Sequence, residues 1–382
     1  MNNIVGTKTR LTWAIHISLA ILVIAWLIPT VGLFVSSFRT VDQISGSGWW
    51  NSLTASADNL TLRTAAPDTQ VEENGQFIID GNLFEEKQEV SIIRWGINSR
   101  DISAYGVGES AELRNGGSIV LNEDGSYVMQ HSVPFTGSRG TRVFVTAEVP
   151  PEFTIENYKN ILVGSNTSSD MSKAFISTLT VAIPATIIPI LIAAFAAYAL
   201  AWMQFPGRIF LIVIIVGLYV VPLQVTFIPI LKLHNNIGIG KGFIGVWLAH
   251  TGFGMPLAVY LLRNYMVGLP RDIIENARVD GASDFQIFRK IILPLSFPAL
   301  ASLSIFQFLW TWNDLLVAKV FLIDSSGDKT VMTSRIVELM GSWGGNWEIL
   351  STAAFVSIAV PLIVFFAMQK YLVRGLLSGS VK

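Results

Sequence analysis

Six stretches of this 382-residue chain are long and apolar enough to cross a bilayer: residues 11–35, 174–203, 209–231, 242–262, 295–317 and 349–369. A helical crossing takes roughly 20 apolar residues. Lipid offers the backbone no water, so each segment must pair its own N–H and C=O groups, which makes it a helix rather than a loop. The whole chain is 51% hydrophobic and only 14% charged, a balance that ordinary soluble domains do not have. Prolines 29, 184, 189, 222, 229, 256, 298 and 361 fall inside these stretches. Kinks suit a protein that moves, but proline is common in spanning helices of every kind and does not decide the matter. Lys8 and Arg10 precede the first stretch as they would in a secretion signal. That stretch is much longer than a signal's apolar region and has no small-x-small cleavage site, so it is expected to be retained as a first span.

A net charge of −1 hides an asymmetry. Residues 40–157 carry 17 acidic and 7 basic side chains, which leaves 27 − 17 = 10 acids and 26 − 7 = 19 bases elsewhere. If six spans alternate, Lys8, Arg10, Arg208, Arg263, Arg271, Arg278, Arg289, Lys290, Lys370, Arg374 and Lys382 share one side. The positive-inside rule makes that side cytoplasmic, with both termini inside and the acidic segment outside. Lys232, Lys241, Lys329 and Arg335 run against the bias.

The expected fold class is therefore an all-α polytopic membrane protein of six transmembrane helices, N-in and C-in. A β-rich extracytoplasmic domain is inserted between helices 1 and 2. The expected organisation is residues 1–37 as N-terminus and first helix, 38–152 as inserted domain, and 153–382 as a five-helix core. Strand-like alternation appears at 76–79, 90–95, 118–121, 127–131 and 142–149. Turn signals are read at Asp80-Gly81, Asn115-Gly116-Gly117 and Asp124-Gly125, with less ordered sequence at 45–68. After the insert, Thr154 and Asn157 form an imperfect capping signal ahead of Ile155, Tyr158, Ile161 and Leu162, which predicts a short helix at the outer interface.

Between the fourth and fifth spans lies a polar, charge-rich segment, 275–294, reading ENARVDGASDFQIFRKIILP. Pro270 suits a first helical position, and Asp272 and Glu275 sit favourably near that helix's positive end. Asp280-Gly281 is a turn dipeptide in which glycine can take a positive φ. Ser283 and Gln286 form a capping box for a second helix, whose apolar face is Ile287, Phe288, Ile291 and Ile292. Pro294 marks the passage into the next span. Two short helices at an angle result, with the small residues Ala277 and Ala282 at the crook where a partner can come close.

This Glu-x-Ala, Gly, Ile-x-Leu-Pro spacing resembles the coupling loop of ABC importer permeases; Asn276 stands where the family usually has alanine. Phe153-Thr-Ile-Glu-Asn-Tyr158 resembles the segment that precedes the helical core in sugar-type permeases. The end of the chain, from Val360 through Gln369-Lys370 and Gly375 to Lys382, resembles the maltose-G-like carbohydrate permeases, as does Trp312-Asn313-Asp314. The resemblance covers about 153–382. With its length and inserted domain, the chain most resembles the second permease subunit of alpha-glucoside importers.

The resemblance implies a subunit that forms the translocation path of a sugar importer, with an oligosaccharide or alpha-glucoside as substrate. It implies as partners a homologous second permease, two ABC ATPase subunits and an extracytoplasmic sugar-binding protein. The setting would be the bacterial inner membrane, with membrane lipid and the sugar as the other contacts and no nucleic acid. The loop 263–293 would seat in an ATPase cleft and pass on its closure. On this view Glu275, Asn276, Ala277, Asp280, Gly281, Ala282, Ser283, Leu293 and Pro294 are the coupling residues, and 371–382 forms a cytoplasmic tail.

No catalytic role is expected for the chain itself. A Gly-x-x-x-x-Gly-Lys-Ser/Thr phosphate loop does not occur, and Gly238-Ile-Gly-Lys241 lacks the spacing and the hydroxyl. ATP and Mg would belong to the partner ATPases, with no cofactor on this chain. His16, His131, His234 and His250 are scattered and no cysteine exists, so no metal site is expected.

Polar side chains within spans are costly and therefore functional candidates. Tyr219, Gln224, Gln307, Trp310 and Asn313 are the candidates for a sugar path, since aromatic faces and amides suit sugar rings and hydroxyls. Interhelix hydrogen bonding and interfacial anchoring compete with that reading, and for each single residue they outweigh it. Trp49, Trp50, Trp343 and Trp347 read as anchors at the outer interface. Two other classes compete with the importer subunit. An ion-driven secondary transporter needs intramembrane charges, for which Asp314 is nearly the only candidate. A receptor with an outer ligand domain leaves the segment 275–294 without a purpose.

Overall fold

From Lys8 to Ser36 the chain forms one helix, α1. From Leu11 to Pro29 every side chain is exposed, apolar ones included, around the whole circumference. A helix hydrophobic on every side is stable only where its surroundings are apolar. The computed structural model describes residues 8–84, 90–113, 116–163, 171–322, 329–342 and 346–378. The expectations for Asn115, Trp343 and the last four residues of the tail lie outside the described residues.

The chain divides into two compact units, Met1–Tyr158 with Gly345–Thr352, and Lys159–Gly344 with Ala353–Lys382. In the first unit α1 is followed, among the described residues, by α2 (Val41–Gly46) and nine strands. These are β1 (Ser56–Arg63), β2 (Val71–Glu73), β3 (Gln76–Asn82), β4 (Ser91–Gly96), β5 (Tyr105–Gly106), β6 (Ser110–Glu112), β7 (Ser118–Leu121), β8 (Ser126–His131) and β9 (Arg142–Val149). Two antiparallel sheets form, in the orders β1-β9-β4-β5 and β2-β3-β8-β7-β6. They enclose a common core of Ile79, Ile92, Trp95, Ile119, Leu121, Tyr127, Met129, Val143 and Val145. This is a β-sandwich, with alternate residues of β9 (Val143, Val145, Ala147) facing in, as the two-residue period of a strand requires.

All five expected strands are present, and the sequence reading errs in two places. The segment 45–68, expected to be less ordered, contains β1, which pairs with β9 from Ser56↔Val149 to Arg63↔Arg142. Its Asp58 and Asn59 mask the pattern, because Asp58 is buried in a strand position where a charge is not expected. Asp80-Gly81 is no turn but lies within β3, opposite Val128 and Tyr127. A Cβ on Gly81 would sit 2.8 Å from the Tyr127 hydroxyl, so the glycine serves close packing. The Asp124-Gly125 turn is present, with Gly125 at φ 83°.

Around the end of α1, the polar groups of this unit are tightly paired. The buried Arg39 donates to the carbonyls of Gln43 (2.6 Å) and Ser47 (2.9 Å) and to the Ser47 hydroxyl (2.6 Å). Burial lowers the pKa of its guanidinium, and nearby Asp58 opposes that shift. The helix after the insert, α3, is Glu156–Leu162. Thr154 accepts from the Glu156 N–H at 3.1 Å, and among the described residues the Asn157 side chain makes no bond back to Thr154. Asn157 donates instead to the carbonyls of Ser37 (3.0 Å) and Arg39 (2.9 Å). Trp50 is 72% exposed, as an anchor should be. Trp49 packs against α1 at Gly32, where a Cβ would lie 2.7 Å from its ring nitrogen.

The second unit contains α4 (Met171–Trp202), α5 (Arg208–Tyr219), α6 (Leu223–Asn236), α7 (Phe243–Val267), α8 (Arg271–Val279) and α9 (Asp284–Ile287). A π-helical turn, Phe288–Ile292, leads to α10 (Leu293–Leu295). Then follow α11 (Phe297–Trp312), α12 (Leu316–Phe321), α13 (Met332–Ser342) and α14 (Trp347–Ser378), whose first turn belongs to the first unit. Small residues on α4 (Ala182, Ala185, Ala193, Ala197) and on α7 (Gly245, Ala249) are buried, and α4 packs along α7 and α11. Small side chains let apolar helices approach closely where no hydrophobic effect drives them together.

Four described helices are long and apolar enough to cross a membrane: Leu11–Ser36, Met171–Trp202, Phe243–Val267 and Trp347–Tyr371. The expected span 209–231 is bent in its middle, and the expected span 295–317 follows a bend at its first residues. α5 and α6 meet at 108°, and Asp284–Leu295 meets Phe297–Trp312 at 71°. At the first break Pro222 has no N–H to give and disfavours helical backbone at Val221. At the second, Pro298 lies in the first turn of α11, where it fits only a helix start.

Candidate functional site

The segment between α7 and α11 is built by its end signals. Pro270 is the N-cap residue, one position before the expected first helical place, and α8 begins at Arg271. Its end is a Schellman arrangement: the Ala282 N–H donates to the Ala277 carbonyl and the Gly281 N–H to that of Arg278, both at 3.0 Å. Gly281 takes the left-handed conformation at φ 80° that this closure requires. The expected capping box then starts α9. The Gln286 N–H donates to the Ser283 hydroxyl (3.3 Å) and the Ser283 N–H to Gln286 Oε1 (2.8 Å).

The two helices have distinct inner and outer faces. Ile274, Ile287, Phe288 and Ile292 are buried with Ala194, Ala197, Leu262 and Met266. The Phe288 ring lies 4.6 Å from that of Phe195 and 5.4 Å from that of Tyr198, and such pairs contribute about 0.5–1.5 kcal/mol each beyond their burial. Ala277, Ala282 and Leu293 also pack, half-buried, on this core. The small residues at the crook therefore face the chain's own helices, and their size serves that internal contact. Pro294, Glu275, Asn276, Asp280, Gly281 and Ser283 are exposed.

Sequence reasoning missed two sets of residues here. Asp284 accepts from the Tyr198 hydroxyl (3.1 Å) and from Arg278 (3.3 Å), and Arg278 also donates to the Trp202 carbonyl (3.3 Å). This ties α8 and α9 to the end of α4. Half-exposed as the Arg278–Asp284 pair is, it contributes about 0–1 kcal/mol and acts mainly as a guide to position. Val279 and Phe285, 86% and 60% exposed, present large apolar surface on the outer face. Their signal was available: both are apolar residues that fall off the inner stripe.

The path candidates separate. Gln307 is buried and donates to the Ala185 carbonyl on α4 at 3.1 Å. A Cβ on Gly254 would come within 2.7 Å of it, so α4, α7 and α11 close around this amide. Trp310 is half-buried with its ring edge-on to His250 at 5.3 Å. Asn313 is exposed and donates to the Leu309 carbonyl. Tyr219 and Gln224 are exposed on either side of the α5–α6 bend. No side-chain hydrogen bond or ring contact joins any two of the five among the described residues. Neighbouring Trp312 donates to the Ser357 carbonyl at 2.9 Å and is wholly buried. His250, also buried, lies with Nε2 3.8 Å from Asp314. Among the described residues no three His, Asp or Glu side chains gather as a metal site would need.

Residues 161–378 match the family described as binding-protein-dependent transport system inner membrane component. The chain is 56% identical over 380 residues to the alpha-glucoside transport system permease protein AglG of Rhizobium meliloti, covering 98% of each. It is 54% identical over 231 residues to the osmoprotective compounds uptake permease protein GgtD of Synechocystis, covering 60% of this chain and 76% of that one. With the trehalose transport system permease protein SugB of Mycobacterium tuberculosis the identity is 32% over 238 residues, 61% of this chain and 84% of that one.

Proposed function

This chain belongs to the family of binding-protein-dependent transport system inner membrane components, and on that premise we propose how it works. It is a multi-pass inner-membrane permease subunit of an ABC sugar importer and not itself an enzyme. The observation that carries the substrate class is identity spread over nearly the whole chain, inserted region included, with an alpha-glucoside permease. Its substrate is an alpha-glucoside or a related oligosaccharide.

The chain crosses the membrane six times, α5–α6 and the bent helix around α10–α11 each counting as one crossing. Both termini and the α8–α10 loop are cytoplasmic and the β-sandwich is extracytoplasmic; the distribution of Lys and Arg supports that orientation. A second, homologous permease completes the path. Two ATPase subunits, which hold ATP and Mg, and an extracytoplasmic binding protein complete the importer.

The loop passes force because its two faces do different work. Glu275, Asn276, Asp280, Gly281 and Ser283, with Val279 and Phe285, meet the ATPase. Ala277, Ala282, Ile287, Phe288 and Leu293 transmit its movement to α4, α7 and α11 through close packing, and a packed core transmits displacement rather than absorbing it. Closure of the ATPases opens the path outward for sugar released by the binding protein, and hydrolysis restores the inward-facing state. Tyr219, Gln224 and Asn313, which are exposed, are free to meet sugar there. Gln307 instead holds helices together, and Trp310 packs on His250.

Reconstitution with the partner subunits tests this. ATP-dependent uptake of labelled maltose, with its α-linkage, is expected to exceed that of β-linked cellobiose. Equal uptake of both sugars, or maltose uptake without ATP, contradicts the assignment.

A further inference from the structure

A cavity of about 510 Å³ opens between the two sheets of the sandwich, lined by the end of β1, the turn after β4 and the loop joining β8 to β9. Its charge is opposite to that of its surroundings. Residues 40–157 hold 7 basic side chains against 17 acidic ones. Three of those basic residues, Arg63, Arg139 and Arg142, line the cavity, and among the described residues no Asp or Glu does. Arg63 stands directly opposite Arg142 across the β1–β9 ladder, where like charges repel. All three are exposed. Arg63 donates to the Gly140 carbonyl at 3.0 Å. The guanidinium groups of Arg139 and Arg142 have no hydrogen-bond or ion-pair partner among the described residues. Among the described residues, three guanidinium groups around one concavity thus stand without a carboxylate in a domain otherwise rich in them.

The rim is fixed. The Phe135 backbone both donates to and accepts from the Gln70 amide, at 2.8 and 3.3 Å. The Thr141 N–H donates to the Thr64 hydroxyl at 2.9 Å. Gly140 lies so close to the Thr64 carbonyl that a Cβ there would clash with its oxygen. The walls include the rings of Phe135 and Phe144. Guanidinium forks take planar oxyanions in two-point contact, apolar walls around them strengthen their field, and the volume lies in the range of small-molecule sites.

We propose that this cleft is a binding site for a small organic anion, whose carboxylate or phosphate is taken by Arg63, Arg139 and Arg142 and whose body rests on Phe135 and Phe144. Its described lining residues all belong to the first unit, and none of them is a candidate for the sugar path.

Calorimetric titration of the full-length chain in lipid nanodiscs, at constant ionic strength, tests it with glucuronate, glucose 6-phosphate and glucose. These share one ring and differ in the anionic group. Saturable 1:1 binding of at least one anion is expected with a Kd of about 1 mM or tighter. Glucose should bind at least about tenfold more weakly, since it offers the arginines no charge. Binding of glucuronate alone identifies a carboxylate site, and of glucose 6-phosphate alone a phosphate site. The double variant Arg139→Glu/Arg142→Glu, altered only at exposed positions, should lose binding while keeping the thermal melt of the sandwich. Arg94→Glu, away from the cleft, should keep binding. Failure of both anions to bind, glucose binding as tightly as they do, or full binding by the double variant overturns the proposal. If the double variant does not fold, Arg142→Gln alone must weaken binding for the site to stand.

Discussion

The turn at Gly281 allows the coupling role of the loop to be tested apart from its folding. Gly281 sits at φ 80°, and a Cβ built there meets nothing within 4 Å. Any L side chain at this left-handed position costs about 1–2 kcal/mol, which weakens the turn relative to its alternatives about fivefold to thirtyfold. Alanine and leucine carry nearly the same backbone cost, and neither is obstructed at Cβ by this chain. The difference between them therefore reports on what stands outside it. Gly281→Asn, with a residue that tolerates this conformation better, should transport at close to the wild-type rate. Gly281→Ala should reduce uptake several-fold by strain alone. Gly281→Leu should abolish uptake and reduce recovery of the ATPase, with the amount of permease in the membrane unchanged. The assays are labelled-sugar uptake, ATPase co-purification and membrane blotting, done on all three variants together. Normal uptake by the leucine variant sinks the docking role. If leucine behaves like alanine, the turn matters only through its own strain and nothing packs against it.

Three other outcomes follow from the same geometry. Glu275→Lys reverses an exposed charge on the outer face of α8 and should weaken ATPase association by about 0–1 kcal/mol, more at low salt; unchanged co-purification and uptake would remove this residue from the contact. Arg39→Met leaves the buried acceptors at Gln43 and Ser47 without their donor and should destabilise the first unit by about 3 kcal/mol, read from denaturant unfolding followed by tryptophan fluorescence; a midpoint within error of wild type would refute it. Because Ser56 and Val149 are paired neighbours, a short linker can replace 56–149 and spare Ser37, Arg39 and Asn157. The shortened subunit should still assemble with its ATPases but respond poorly to loaded binding protein, since the sandwich's acidic surface suits protein association. Added salt should weaken the intact complex's response, as expected for exposed charges. Intact stimulation after the deletion would show the sandwich to be a spacer.

The loop and most of the sandwich were legible because their signals are local. Asp280-Gly281, Ser283 and Gln286 specify a helix end, a turn and a helix start within seven residues, and the backbone does what they dictate. β9 shows its period of two without help from its neighbours. β1 escaped notice because Asp58 and Asn59 break its pattern, and its partner β9 lies some ninety residues away in the sequence. The inward orientation of Ala277 and Ala282 was equally hidden: a small residue looks the same whether it makes room for a partner or for the chain's own helix. Likewise, Gln307 was identified as a costly polar group in a span, but its commitment to the Ala185 carbonyl depends on α4.

What the sequence determined by itself is that this chain spans a membrane, carries a strand-rich insert, and presents a capped helix pair between two spans. Those properties follow from the hydration cost of backbone groups and from side chains acting within a few residues of one another. Only the tertiary structure decided how sharply α5 and α6 bend, which polar side chains bind helix to helix, and that three arginines from separate strands and loops face one cleft. Each of these depends on residues far apart in the chain meeting in space.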